Sequence, residues 1–249
     1  MTLENQISNW IQRYLNDNGL KTLIVGVSGG IDSAVVSTLC AMTGSETKLL
    51  IMPIHQNIDE TNRGLNHCNF LKKKFNNVEI ISTDLTDVYE SFSTKVEEIH
   101  KSKLSLANTR ARIRMTMLYL IAGSTNGIVV GTGNKVEDFG VGFFTKYGDG
   151  GVDISPIADL MKSEVYDLAK KLGVSKEIIN APPTDGLWDD GRVDEDQLGV
   201  TYDELEWAMN NDSENLNQKS SRILEIYNKH RKHNLHKMKE IPVFKKDKE

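Results

Sequence analysis

"LIVGVSGGIDSAVVSTLC", residues 23–40, runs from a β-branched apolar stretch through a glycine turn into an apolar segment of helical spacing. A strand buried on both faces reads as a continuous apolar run, and residues 21–27 have that character. The turn is Ser28-Gly29-Gly30-Ile31-Asp32-Ser33, and a helix is expected from Ser33 to about Met42. The same alternation recurs downstream. "TKLLIMPI" (47–54), "VEIIST" (78–83) and "GIVVGT" (127–132) read as three more strands. Between them, Asp59 opens a helix carrying Leu65, Cys68, Leu71 and Phe75. Leu85, Val88, Tyr89, Phe92, Val96 and Ile99 mark another, and a long helix runs from about Ser105 to Ser124. Ahead of the first strand, Leu3, Ile7, Trp10, Ile11, Tyr14 and Leu15 recur at helical spacing, and Gly19 supplies a stop. Strands alternating with helices predict an α/β, doubly wound, mostly parallel sheet with helices on both faces.

A chain of 249 residues is large for one domain and small for two, and no repeat or linker divides it. A single domain over 1–249 is expected, with a core at about 20–175, a mobile loop at about 180–198, and C-terminal helices and tail at about 201–249. The loop reading rests on "NAPPTDGLWDDGRVDEDQL", which holds proline, glycine and six acidic residues around Trp188. The net charge of −5 argues against a nucleic-acid partner. No apolar run approaches the roughly 20 residues that cross a bilayer, so no membrane association is expected. The polar-spaced N-terminus does not read as a secretory signal. Cys40 and Cys68 lack metal-ligand spacing and fit reduced core thiols of a cytoplasmic protein. His230, His233 and His236 lie three apart, which spreads them too widely around a helix for one metal ion. The basic segment Lys101, Lys103, Arg110, Arg112, Arg114 and the stretch 228–239 read as solvated faces that could receive a small anion.

In an open α/β sheet, ligands bind beyond the carboxyl ends of the strands. Gly29 and Gly30 let the backbone curl so that successive N–H groups point inward, and the following helix adds its positive end. That suits pyrophosphate. No lysine stands where a Walker-type loop would place one to stabilise γ-phosphoryl transfer. Asp32 stands in the cradle instead. A carboxylate there repels phosphate unless a cation lies between them, so Asp32 implies Mg²⁺.

The SGGxDS string resembles the PP-loop ATP pyrophosphatases, which cleave ATP between its α- and β-phosphates. Residues 131–173, "GTGNKVEDFGVGFFTKYGDGGVDISPIADLMKSEVYDLAKKLG", together with 108–115 and 181–190, resemble the ammonia-dependent NAD synthetases over nearly the whole chain. The resemblance implies a Rossmann-like fold of the PP-loop adenine nucleotide hydrolase type. It implies a ligase that adenylates deamido-NAD with ATP and displaces AMP with ammonia to give NAD, the last step of NAD biosynthesis. It places ATP on Gly26, Val27, Ser28, Gly29, Gly30, Ile31, Asp32, Ser33, Thr132, Lys162 and Thr184. Asp32 and Glu137 would hold Mg²⁺, and Asp32 and Lys162 would be catalytic. Deamido-NAD would meet Arg112, Lys146, Asp153, His236 and Lys237, between the subunits of a homodimer. Arg110 and Arg114, on another face from Arg112, are expected at the surface or in dimer contacts. The family's arginine and glutamine near the end of the second strand, which contact adenine and ribose, have no counterpart in "IMPIHQNIDE", where Asn57 replaces the glutamine. The expected domain and its appendages use the whole chain and leave no glutaminase domain, so free ammonia is the expected nitrogen source. A tRNA-thiolating or GMP-aminating PP-loop enzyme and a nucleotide-binding sensor are the alternatives, separable by pyrophosphate release that depends on deamido-NAD.

Overall fold

A computed structural model describes residues 1–184, 193–211 and 217–246. Helix α1 (Leu3–Asp17) leads into strand β1 (Thr22–Gly26), α2 (Ile31–Met42), β2 (Glu46–Ile51), α3 (Ile58–Lys74), β3 (Val78–Ser82), α4 (Thr86–Ser93), α5 (Lys103–Ser124) and β4 (Gly127–Val129). A π-helical segment (Lys135–Val141) follows, then α6 (Lys162–Leu172), α7 (Lys176–Ile179), α8 (Asp194–Leu198), α9 (Tyr202–Asn210) and α10 (Gln218–Met238). The strands are parallel in the order β3-β2-β1-β4, with Leu23 opposite Thr47 on one side and Ile128 on the other.

Side-chain alternation divides each strand between two cores. Leu23, Val25, Leu49, Ile51 and Ile128 join α1, α2 and α6 on one face. Ile24, Leu50 and Val129 join Tyr89, Met115 and Leu118 from α4 and α5 on the other. Buried on both faces, these strands are near-continuously apolar, as residues 21–27 predicted. A third cluster ties the π-helical segment to α8, α9 and α10 through Val136, Val141, Leu198, Tyr202, Leu205 and Ile223. The chain leaves β1 toward β2 and returns to its other side as β4. The order therefore reverses beside β1, where the Ser28–Ser33 turn emerges. Cys40 and Cys68 are fully buried, as expected.

Some boundaries differ from the sequence reading. The helix expected to reach Ile99 stops at Ser93, and Ile99 is 82% exposed within a separate 3-10 turn at Glu98–His100. β2 ends at Ile51, short of Pro53, which has no N–H to continue the ladder. The irregular stretch after Asn180 is shortened from its far end by α8, whose Leu198 is 2% exposed. The Asp194 N–H donates to the Pro183 carbonyl at 3.0 Å, which joins the two ends of that stretch. The expected mobile loop, with Trp188, falls mainly on 185–192, outside the described residues.

Candidate active site

A cavity of about 260 Å³ opens at the carboxyl ends of β1 and β4. Every residue that the resemblance assigns to ATP lines it: Gly26 through Ser33, Thr132, Lys162 and Thr184. The glycine turn is internally hydrogen-bonded. The Ser28 N–H donates to Ser33 Oγ (3.2 Å), the Gly30 N–H donates to Ser28 Oγ (3.2 Å), and the Ser33 hydroxyl donates to the Gly30 carbonyl (2.9 Å). Gly29 takes φ +91°, a conformation that L side chains rarely adopt, and its backbone lies against α3 at Glu60 and Gly64.

One ammonium holds the centre. Lys162 Nζ, at the first residue of α6, donates to Asp32 Oδ2 (2.6 Å) and to Glu137 Oε1 (2.8 Å). Its side chain is 3% exposed, and those of Asp32 and Glu137 are 18% and 16% exposed. Burial by itself would push the Lys162 ammonium down, but the attraction of Asp32 and Glu137 outweighs it and raises its pKa. Burial raises Asp32, against the pull of Lys162 and with the repulsion of Glu137. Burial also opposes ionisation of Glu137, but Lys162 and a hydrogen bond from Tyr202 hold that carboxyl below its ordinary value.

The surrounding partners were not legible as site residues. Asn134, fully buried, donates from Nδ2 to Asp32 Oδ1 (3.1 Å), and its Oδ1 accepts from the Val136 and Glu137 N–H groups, both at 3.1 Å. It thereby fixes both carboxylates with one amide. Tyr202, at the start of α9, donates to Glu137 Oε1 (2.6 Å), lies 3.2 Å from Asp194 Oδ2, and sets its ring 4.8 Å from Lys162 Nζ. Asp138 and Asp149 line the same cavity. Burial first, then the Asp149 charge, raises Asp138 well above the usual carboxylate range. Asp149 meets solvent through the cavity yet is ringed by protein, and that desolvation pushes it up to about 6.

Lys162→Met tests the central ion pair. The substitution leaves two buried carboxylates side by side, so one must stay protonated in the fold. A carboxyl raised by folding costs nothing below its unfolded pKa of about 4, and it destabilises progressively as pH rises through its folded value. In the parent the raised Lys162 pKa keeps its contribution intact at every pH below the ordinary value of 10.5. The variant should lose about 3–5 kcal/mol, with its melting temperature falling further below the parent's at pH 7.5 than at pH 5. A gap independent of pH would show that Lys162 does not neutralise these carboxylates.

The residues assigned to deamido-NAD do not line the cavity. Arg112 Nε donates to the Lys146 carbonyl (3.2 Å), Lys146 Nζ reaches the His236 carbonyl (3.5 Å), and Lys237 Nζ donates to the Phe144 carbonyl (2.7 Å). These four share one strip where α10 meets the segment after β4. Asp153 stands apart, accepting from the Tyr119 hydroxyl (3.0 Å) and the Val129 N–H (2.7 Å). Arg112 also lines a separate, open surface hollow with Met115, Thr116, Tyr119, Tyr147 and Gly151.

The expectation for Arg110 and Arg114 is corrected. Arg110 is 7% exposed, with its guanidinium 5.0 Å from the Tyr89 ring. Arg114 lines the cavity, donating from Nε to the Met52 carbonyl (2.9 Å) and from Nη2 to Gln56 Oε1 (3.3 Å). Both follow from the stripe of α5 that packs on the sheet, which holds Ala107, Arg110, Ala111, Met115 and Leu118. Asn57 serves as the N-cap of α3, accepting from the Asp59 N–H at 2.8 Å. His230 is placed by the Leu198 carbonyl, 3.1 Å from its Nε2.

Comparison with known proteins places the chain in a family. A family model described as NAD synthase matches residues 3–248. The chain is 41% identical over 209 residues to an NH(3)-dependent NAD(+) synthetase of Alkaliphilus oremlandii, covering 80% of each chain. It is 40% identical over 208 residues to one of Archaeoglobus fulgidus, covering 81% of this chain and 79% of that one. Among solved structures, it superposes on an NMN synthetase of Francisella tularensis with TM-score 0.87 and 33% identity, covering 97% and 96% of the two chains. An NH3-dependent NAD synthetase of Campylobacter jejuni, with nitrate bound, gives TM-score 0.79 at 27% identity over 98% of both chains.

Proposed function

The chain belongs to the NAD synthase family, and from that premise we propose that the cavity at the β1–β4 end binds ATP and activates a nicotinate carboxylate there. The activity is that of a ligase: ATP-dependent amidation of deamido-NAD with ammonia to give NAD. The observation that carries the assignment of residues is that Lys162 gathers Asp32 and Glu137 at the mouth of the glycine turn. The ATP contacts are those lining residues Gly26–Ser33, Thr132, Lys162 and Thr184.

A nicotinate carboxylate oxygen attacks the α-phosphorus. The bond to the bridging oxygen breaks and pyrophosphate leaves. The ammonia lone pair then attacks the acyl carbon, the acyl–phosphate bond breaks, AMP leaves, and one proton is released. Turn amides and the Ser28 and Ser33 hydroxyls hold the pyrophosphate. Lys162 carries a fixed positive charge beside it.

The site suits Mg²⁺. Asp32 and Glu137 already place two hard oxygen donors within contact of one cationic atom, and these two carboxylates would hold the ion together with ATP phosphates and water. When bound, the ion would neutralise phosphate charge. The whole chain acts as one catalytic unit, in the cytoplasm, where Cys40 and Cys68 stay reduced. The test is direct: ATP, Mg²⁺, deamido-NAD and ammonium should yield NAD, AMP and pyrophosphate in equal amounts, and omission of deamido-NAD should abolish pyrophosphate release. With ammonium rigorously excluded, glutamine should support little turnover; efficient NAD formation from glutamine would contradict the nitrogen source.

One observation favours a second reading of the acceptor. The Francisella neighbour is described as an NMN synthetase, so a mononucleotide acceptor is a specific competitor for the dinucleotide. Comparing kcat/KM for deamido-NAD and nicotinate mononucleotide decides between them.

Deamido-NAD binds along the strip of Arg112, Lys146, His236 and Lys237 and reaches Asp153 by way of the hollow that Arg112 and Tyr119 line, at the interface of a homodimer built on α5. The support is that α5 leaves Tyr119 and Leu120 40% and 63% exposed, with Tyr119 lining the same hollow as Arg112. Sedimentation should give about twice the 27.9 kDa chain mass. Arg112→Ala should raise the KM for deamido-NAD roughly tenfold or more, the loss of a charge-assisted hydrogen bond, with the KM for ATP nearly unchanged. An active monomer, or a variant impaired only toward ATP, would misplace the second substrate.

A further inference from the structure

The turn that cradles phosphate lacks a lysine, and Lys162, the ammonium at its mouth, is bonded to two carboxylates. Helix α3 supplies another cation to the same cavity. Arg63 lines it together with Ser28, Gly29, Gly30, Glu60 and Thr61. Its Nε–H is buried and has no hydrogen-bond partner among the described residues. Glu60, one turn earlier on the helix, accepts from Gln56 Nε2 at 3.0 Å instead. Burying a guanidinium donor without a partner is costly, and such a group in a native cavity calls for a ligand to complete it.

The neighbouring backbone indicates which ligand. Residue 64 follows directly, and the backbone of Gly29 packs on Gly64: a Cβ built on Gly29 would lie 3.1 Å from the Gly64 nitrogen. Arg63 is therefore anchored to the helix segment that supports the glycine turn itself. Arg114, the other arginine lining the cavity, donates to the Met52 carbonyl and to Gln56, on the side of the β2–α3 connection. A guanidinium presents planar paired donors that match phosphate oxygens. We infer that Arg63 is a pyrophosphate-binding residue, donating to the β- and γ-phosphates of ATP and stabilising them as the leaving group. The inference rests on the reading of this cavity as the ATP site.

Binding to the full chain tests it, with Mg²⁺-ATP, Mg²⁺-pyrophosphate and AMP as probes, measured calorimetrically on the parent, Arg63→Met and Arg63→Lys. AMP keeps the adenine, ribose and α-phosphate but lacks the two phosphates that Arg63 should hold. Arg63→Met should weaken ATP and pyrophosphate roughly 10- to 100-fold, the loss of a charge-assisted hydrogen bond, and leave AMP within about twofold. Arg63→Lys should recover part of the loss, since it restores the charge without the paired donors. In turnover, the KM for ATP should rise while the KM for deamido-NAD stays level. Unchanged pyrophosphate binding in folded Arg63→Met overturns the inference, and so does an equal loss for AMP, which would place Arg63 on the nucleoside. Should the Met variant not fold, Arg63→Lys decides: pyrophosphate binding weakened with AMP spared supports the role, and parent-like binding of both refutes it. A parent chain that binds neither ATP nor pyrophosphate overturns the ATP-site reading and this inference with it.

Discussion

Asp32→Asn should abolish adenylation while the chain stays folded. The exchange conserves shape and removes one charge. Asp32 is bonded to Lys162 and Asn134, and in the proposed mechanism it is a ligand of the divalent cation that meets triphosphate. An amide oxygen there binds a hard cation weakly, and phosphate charge then meets less compensation in the transition state. A loss of several kcal/mol is typical of such a ligand, and each 1.36 kcal/mol is about tenfold in rate. Deamido-NAD-dependent pyrophosphate release should therefore fall by a factor on the order of 10³ or more. Lys162 retains Glu137 as a partner, so the melting temperature should fall only moderately. Near-parental pyrophosphate release from Asp32→Asn would remove the carboxylate from the mechanism.

Gly29→Ala should be nearly as damaging, for a steric reason. Gly29 has φ +91°, and a Cβ there would be driven into the Glu60 carbonyl oxygen and would press on the Gly64 nitrogen at 3.1 Å. Both obstacles are backbone of α3 and cannot swing aside as a side chain could. The left-handed conformation alone costs a non-glycine residue about 1–2 kcal/mol, and the clash adds to it. The turn must shift, and its inward N–H groups shift with it. The KM for ATP should rise at least about 100-fold, equivalent to a displaced cradle losing two neutral hydrogen bonds. Gly44→Ala is the control. Gly44 also has a positive φ, +76°, but a Cβ there meets nothing within 4 Å. That variant should lose about 1 kcal/mol of stability and keep parental kinetics. If the two variants behave alike, backbone conformation matters and the contact with α3 does not.

Much of the fold was legible because it is written locally. Strands buried on both faces must be apolar throughout, and Leu23–Val25 and Leu49–Ile51 are. A glycine turn between strand and helix must sit at the carboxyl end of a strand, and Ser28–Ser33 does. The failures have equally local causes. Val96 and Ile99 continue an apolar spacing past the point where α4 stops, because periodicity records which residues are apolar and not whether a partner surface covers them. The sequence pattern puts Arg110 and Arg114 at the surface or in dimer contacts because a helical wheel separates faces without naming what each face meets.

The chain by itself determined the glycine turn between β1 and α2, the alternation of strands and helices and the kinds of residue at the site, since each depends on neighbours within a few positions. Only the tertiary structure decided how they are combined. Asn134 reaches Asp32 across 102 positions, Lys162 across 130, and Tyr202 reaches Glu137 across 65. No local pattern marks an asparagine, a lysine or a tyrosine as the partner of a carboxylate so far away in the chain. Those pairings arise because a parallel sheet brings the ends of β1 and β4 together and seats α3, α6 and α9 around them. There, burial removes water as a competing partner, and charges that would be solvated in the open chain must find one another.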